Sequence, residues 1–131
     1  MALQKTKVLN ITSVTGIATV GILTAGVTPT DAGVAGTCYI RSVIMHNTGI
    51  GSARVSLYVN PDTNPVSVAT TANRILRIDV APNETTFFES NYPIVLTPTD
   101  SLGVEITAPA SGGTGIGSAV NFLVNGDTDI S

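Results

Sequence analysis

Alternation of apolar and polar residues runs through most of this chain. In R-V-S-L-Y-V-N, Val55, Leu57 and Val59 share one side while Arg54, Ser56, Tyr58 and Asn60 share the other. In S-L-G-V-E-I-T, Leu102, Val104 and Ile106 oppose Ser101, Gly103, Glu105 and Thr107. Val120, Phe122 and Val124 form a third apolar row, and Leu76, Ile78 and Val80 a fourth. A period of two sends successive side chains to opposite faces, so each segment predicts a half-buried strand with one wet face. Sustained i, i+3, i+4 spacing, the mark of an amphipathic helix, is missing. Further strands are predicted at 8–12, 17–24, 85–89 and 94–96.

Y-I-R-S-V-I-M-H differs, because Ile40 and Ile44 lie on one side of an ideal strand and Tyr39, Val43 and Met45 on the other. A strand apolar on both faces is either central or covered by a partner. Between the predicted strands stand T-P-T-D-A-G, N-T-G-I-G, N-P-D-T-N-P, A-P-N-E, T-P-T-D and P-A-S-G-G-T-G. These residues supply positive φ, fixed φ or local side-chain bonds, so they read as turns. About eight or nine short strands result. They predict an all-β fold: one antiparallel β-sandwich, jelly-roll or Ig-like, as a single domain over residues 1–131. Residues 1–16 are a candidate N-terminal arm lying on a neighbour.

The hexapeptide T-G-I-G-S-A occurs at 48–53 and again at 114–119. A phosphate cradle needs such a turn to open a helix, whose N-terminal amides hold the anion. Here both copies lead into alternating strand, and neither contains a lysine. The expectation is a pair of hairpin reversals, flanked by strands 39–46 and 54–59 and by strands 101–107 and 120–124. Ile50 and Ile116, each between two glycines, are then candidate subunit contacts; exchanging both for Ser should weaken assembly and spare the monomer. One extra residue, Arg54, follows the first copy only, so the two units do not form an in-register duplication.

Apolar residues make up 43% of the chain, aromatic residues 5% and charged residues 11%, with six basic and nine acidic side chains and a net charge of −3. So few charges leave Thr, Ser, Asn, Gly and aliphatic groups on the surface, which suits a subunit that covers that surface with neighbours. Nucleic acid is not expected as a partner, since Lys5, Lys7, Arg41, Arg54, Arg74 and Arg77 are scattered. The N-terminal apolar run is interrupted by Asn10, Thr12, Ser13, Thr15 and Gly16, so no signal peptide is expected, nor any membrane-spanning helix.

Candidate chemistry is sparse. Cys38 is the sole cysteine and reads as a small buried hydrophobe. His46 is the sole histidine and lies too far along the same strand to activate Cys38. N-G-D-T-D at 125–129 has the opening spacing of a calcium loop without its later glycine and glutamate, and reads as solvated tail. Asp79, Glu84 and Glu89 flank one predicted hairpin; a glycosidase pair is geometrically open there, with turn and edge solvation the default. No enzyme activity, catalytic residue, metal or cofactor is expected.

The run N-R-I-L-R-I-D-V-A-P-N-E-T-T-F-F-E at 73–89, followed by Y-P-I-V-L-T-P-T-D-S-L-G-V-E-I-T, resembles small structural proteins of tailed bacteriophages. R-S-V-I-M-H-N-T-G-I-G-S-A-R-V-S-L-Y-V resembles their earlier hairpin, and the likeness spans roughly residues 38–128. The resemblance implies a β-sandwich virion protein, made in the host cytoplasm, that decorates and cements the capsid. Its partners would be the major capsid protein or other virion proteins, and copies of itself in a homo-oligomer such as a trimer. A tail, neck or fibre component, including a receptor- or glycan-binding module, is the alternative. That alternative calls for exposed aromatics converging on one face.

Overall fold

The computed structural model describes residues 3–15, 18–27, 29–30, 33–34, 36–49, 51–61, 71–107 and 119–129. The strands in chain order are β1 (Leu3–Thr15), β2 (Ala18–Thr24), β3 (Pro29–Thr30), β4 (Gly33–Val34), β5 (Cys38–Asn47), β6 (Ala53–Asn60), β7 (Arg74–Val80), β8 (Thr85–Leu96), β9 (Ser101–Thr107) and β10 (Ala119–Asp129). One short 3₁₀ turn, Thr71–Asn73, precedes β7. One sheet has the order β1-β10-β5-β8 and the other β2-β9-β6-β7, while β3 and β4 form a separate small ladder. All pairings are antiparallel.

With the small ladder set aside, the first strand pairs the last, the second the penultimate, the third the sixth and the fourth the fifth. A long antiparallel hairpin rolled up in this way is a jelly roll, and the order differs from that of an immunoglobulin domain. Its consequence is that consecutive strands mostly lie in opposite sheets. Strand β5 belongs to one sheet and β6 to the other, and the same holds for β9 and β10. The two T-G-I-G-S-A segments therefore link layers, and the hairpins expected from the sequence are not formed. Alternation identifies a strand without naming its partner. Ile50 and Ile116 both lie outside the described residues.

The segment expected as an arm is, over Leu3–Thr15, a strand of the sandwich paired with β10 from Asp129 back to Ala119. Two register shifts interrupt that pairing, and Val8, at one of them, is fully buried. The strands predicted at 85–89 and 94–96 are one strand, β8. Between the pairs Ser42↔Glu89 and Ile40↔Ile94, residues 90–93 stand opposite Arg41 alone. Pro93 fits there because a bulge on an edge strand does not require its missing N–H.

Arg41 also resolves the two-faced pattern of β5. It is an extra residue against β10 as well, falling between Asn125↔Ser42 and Gly126↔Ile40. This bulge reverses the alternation, so that Cys38, Ile40, Val43 and Met45 all point inward and are fully buried. β5 is central, between β10 and β8. The core joins these residues to Phe122, Val120 and Val124 from β10 and to Val55, Leu57, Leu102, Val104 and Ile106 from the other sheet.

One predicted wet face is not wet. Ser56, Tyr58, Asn60 and Ser101 are all buried on the outward side of β6 and β9, the two central strands of their sheet. Tyr58 stands opposite Gly103, whose missing side chain leaves space for the ring, and its hydroxyl donates to Glu105 Oε1 at 3.0 Å.

Candidate functional site

The outward face of the β1-β10-β5-β8 sheet carries three parallel rows. Leu123 of β10 stands opposite Ile44 of β5, which stands opposite Phe87 of β8. Ile11 of β1, set in the register shift between Leu9 and Thr12, completes the row at the sheet's other edge. The result is an apolar band across all four strands. Its ends are open to solvent, Ile11 at 65% and Phe87 at 62% exposure. A depression of about 260 Å³ lies along it, lined by Ile11, Ile44, His46, Asn121 and Leu123 among others.

The flanking rows are polar and almost without charge. On one side, Ser13, Asn121, His46 and Thr85 follow one another across the strands. They bond in pairs, Ser13 Oγ to Asn121 Oδ1 and His46 Nδ1 to Thr85 Oγ1 at 2.8 Å. On the other side, Asn125, Ser42 and Glu89 are in register. Bonding within the first row pairs its polar groups with one another beside the apolar band. The sequence alone does not show it, because the four residues come from four strands whose partners alternation does not name, and Ile44 lay in a strand apolar on both faces.

The opposite outer face has a different character. Arg54 donates to both carboxylate oxygens of Asp79, from Nε at 2.8 Å and from Nη2 at 3.2 Å. That hydrogen bonding holds the Asp79 carboxyl below the usual range and raises the Arg54 guanidinium further. Arg54, Arg77, Ile78 and Asp79 surround a depression of about 300 Å³.

The remaining candidates separate in space. Cys38 points into the core, where burial pushes its thiol up to about 11, while His46 faces outward. Asp79 and Glu89 lie on opposite outer faces, and Glu84 accepts from the Ala81 amide at 3.0 Å to close the turn before β8. Asp79 and Glu89 therefore do not face each other across one bond. N-G-D-T-D is not a solvated tail: it lies in β10, with Asp127 buried and bound to Arg41 Nε at 3.1 Å. Among the described residues, no group of three or more His, Cys, Asp or Glu side chains could hold a metal ion. Among them, too, no helix is long and apolar enough to cross a membrane.

Asn47 is a structural centre that the sequence did not reveal. It is fully buried; its Nδ2 donates to the carbonyls of Gly51 and Val80, each at 2.9 Å, and its Oδ1 accepts from the Gly49 amide at 2.7 Å. Its backbone bonds to Glu84 and Asn83 in the neighbouring turn. The residue in the corresponding place before the second T-G-I-G-S-A is Gly113, which has no side chain to repeat this role. No family model, no curated protein and no solved structure matches this chain.

Proposed function

We propose that this protein is a non-enzymatic structural subunit of a tailed-phage virion, acting as a capsid decoration or cement protein through surface contact. The observation that carries the reading is the apolar band Ile11–Leu123–Ile44–Phe87, spanning one whole sheet between uncharged or weakly charged rows. A contiguous apolar strip rimmed by polar groups favours contact with another protein. The resemblance of residues 38–128 supplies the phage context, and jelly rolls serve as capsid building blocks as well as lectins. Pressing many such bands against capsomer junctions would make expansion or internal pressure break many contacts together.

Purified protein incubated with undecorated phage heads and imaged by electron cryomicroscopy tests this. Saturable density at lattice positions is expected, and its loss in a folded Ile11→Ser/Phe87→Ser variant. Heads that stay bare would sink the proposal.

One observation favours the alternative. Phe87 and Tyr92, the latter 83% exposed, both project from β8. Two open aromatics on one edge suit a fibre or tail module that grips glycans. Binding on a glycan array, lost in Tyr92→Ala, would move the assignment there.

A further inference from the structure

Each sheet of the sandwich ends in two edge strands, and an edge offers a row of backbone N–H and C=O groups to any strand that approaches. Three of the four edges carry features that discourage such pairing. β1 contains Lys5 and Lys7 and has two register shifts. β8 contains Pro93 within its four-residue bulge. β7 presents the charged side chains of Arg77 and Asp79.

β2 has none of these charges or prolines. Its sequence is A-T-V-G-I-L-T, and its register with β9 is unbroken from Ala18 to Gly21. Among the described residues, no strand pairs with its far side. A second observation marks the same edge. Val20 lies opposite Val104 on the inward face, yet Val104 is sealed and Val20 is 38% exposed. The core is open to solvent at this edge.

The geometry points to antiparallel pairing of β2 with the β2 of a second copy, which joins two four-stranded sheets into one of eight strands. An extended strand is the occupant, because it satisfies a row of alternating backbone donors and acceptors. The same strand of another copy suits the edge for two reasons. Both strands are uncharged, so copies with a net charge of −3 meet without like charges within the seam. A two-fold axis through Val20 also sets Val20 against Val20 of the second copy and Thr19 against Gly21 of the second copy. Apolar side chains then meet on the inward side and small residues on the outward side. The shift at Ile22 ends the regular stretch, so the ladder is short and the dimer reversible.

This pairing uses the other sheet from the apolar band, so the two proposals can fail separately. Sedimentation velocity over a concentration series should show a monomer–dimer equilibrium. Hydrogen exchange should show protection within 18–24 that grows with concentration. Val20→Lys, an inward charge at the edge, should abolish the dimer; Thr19→Lys, at an exposed outward position, should do so with the core intact. Circular-dichroism melting establishes that each variant is folded. Ile11→Ser/Phe87→Ser should leave the dimer unchanged. A monomer at every concentration would overturn the inference. So would an oligomer with no added protection in 18–24, or a dimer that survives in both folded Lys variants.

Discussion

Gly126 backs onto the carbonyl of Tyr39: a Cβ at that position would stand 1.9 Å from the oxygen and 3.1 Å from Ile40 Cα. The close approach belongs to the bulge at Arg41, where β5 spends one more residue than β10. Gly126→Ala is expected to cost about 3–5 kcal/mol, because backbone on one strand must move and the central register with it. Asn125→Ala, one residue away, should cost less than about 1 kcal/mol. Urea denaturation of both variants provides the comparison, and equal stabilities would show the bulge to be misplaced.

Asn47 holds the β5–β6 link against the end of β7 with three side-chain hydrogen bonds. Its replacement by Ala should cost about 2–4 kcal/mol, since buried carbonyls lose their donors. Asn47→Asp should be worse, because it retains the acceptor but sets a carboxylate oxygen against two carbonyls. Chemical denaturation that ranked Asp above Ala would contradict the donor assignment.

The two arginine–aspartate pairs should behave differently. Arg41 is half exposed but Asp127 retains only 12% side-chain exposure, so Arg41→Ala leaves a nearly buried carboxylate uncompensated. A loss of about 1–2 kcal/mol is expected, little changed by salt. Asp79 is half exposed and Arg54 partly so, water screens their attraction, and Arg54→Ala should change stability little. Because the Arg54 hydrogen bond depresses the Asp79 carboxyl, its small contribution is present above the ordinary carboxylate range. It disappears as pH falls through the lower folded value. Asp79→Asn should therefore flatten only the acid limb of a stability–pH curve.

Burial raises the Cys38 thiol from 9.0 to about 11, so the unfolded chain ionises first as pH rises. The associated stability is complete below the unfolded value and is lost as pH climbs toward the folded one. Cys38→Ala should remove that alkaline slope. A thiol reagent should label the native protein only as fast as it opens; rapid native labelling would show that Cys38 is not sealed.

Thr99 has a φ of 76°, unusual for a β-branched residue. It follows Pro98 in T-P-T-D as Asn83 follows Pro82 in A-P-N-E, whose φ is 60°. Both are the positive-φ third position of a type II turn, and each turn is closed by its acidic fourth residue, Asp100 or Glu84. Thr99→Gly should raise stability by about 1 kcal/mol, as relief of strain outweighs added chain entropy. Asn83→Gly should gain less, since Asn tolerates this region. A thermal melt in which Thr99→Gly lost stability would refute the strain.

Residue order carries the local structure of this protein. The rows Val55–Leu57, Leu102–Val104–Ile106 and Val120–Phe122–Val124 were legible because alternation with period two is a property of the strand alone. The proline and glycine turns were legible because φ is set by the residue. That β5 and β6 lie in different sheets is a property of the packed fold, since partner choice depends on all strands together. The packed fold also puts Arg41 at a register shift, which turned Val43 and Met45 inward and Ile44 outward. The bulge marks the alternation of β5 only as apolar residues on both faces, a pattern that a fully covered strand also gives, and the neighbouring strands tell the two apart. The apolar band follows from that shift and the strand pairing together: Ile11, Leu123, Ile44 and Phe87 are distant in the chain and meet only through register.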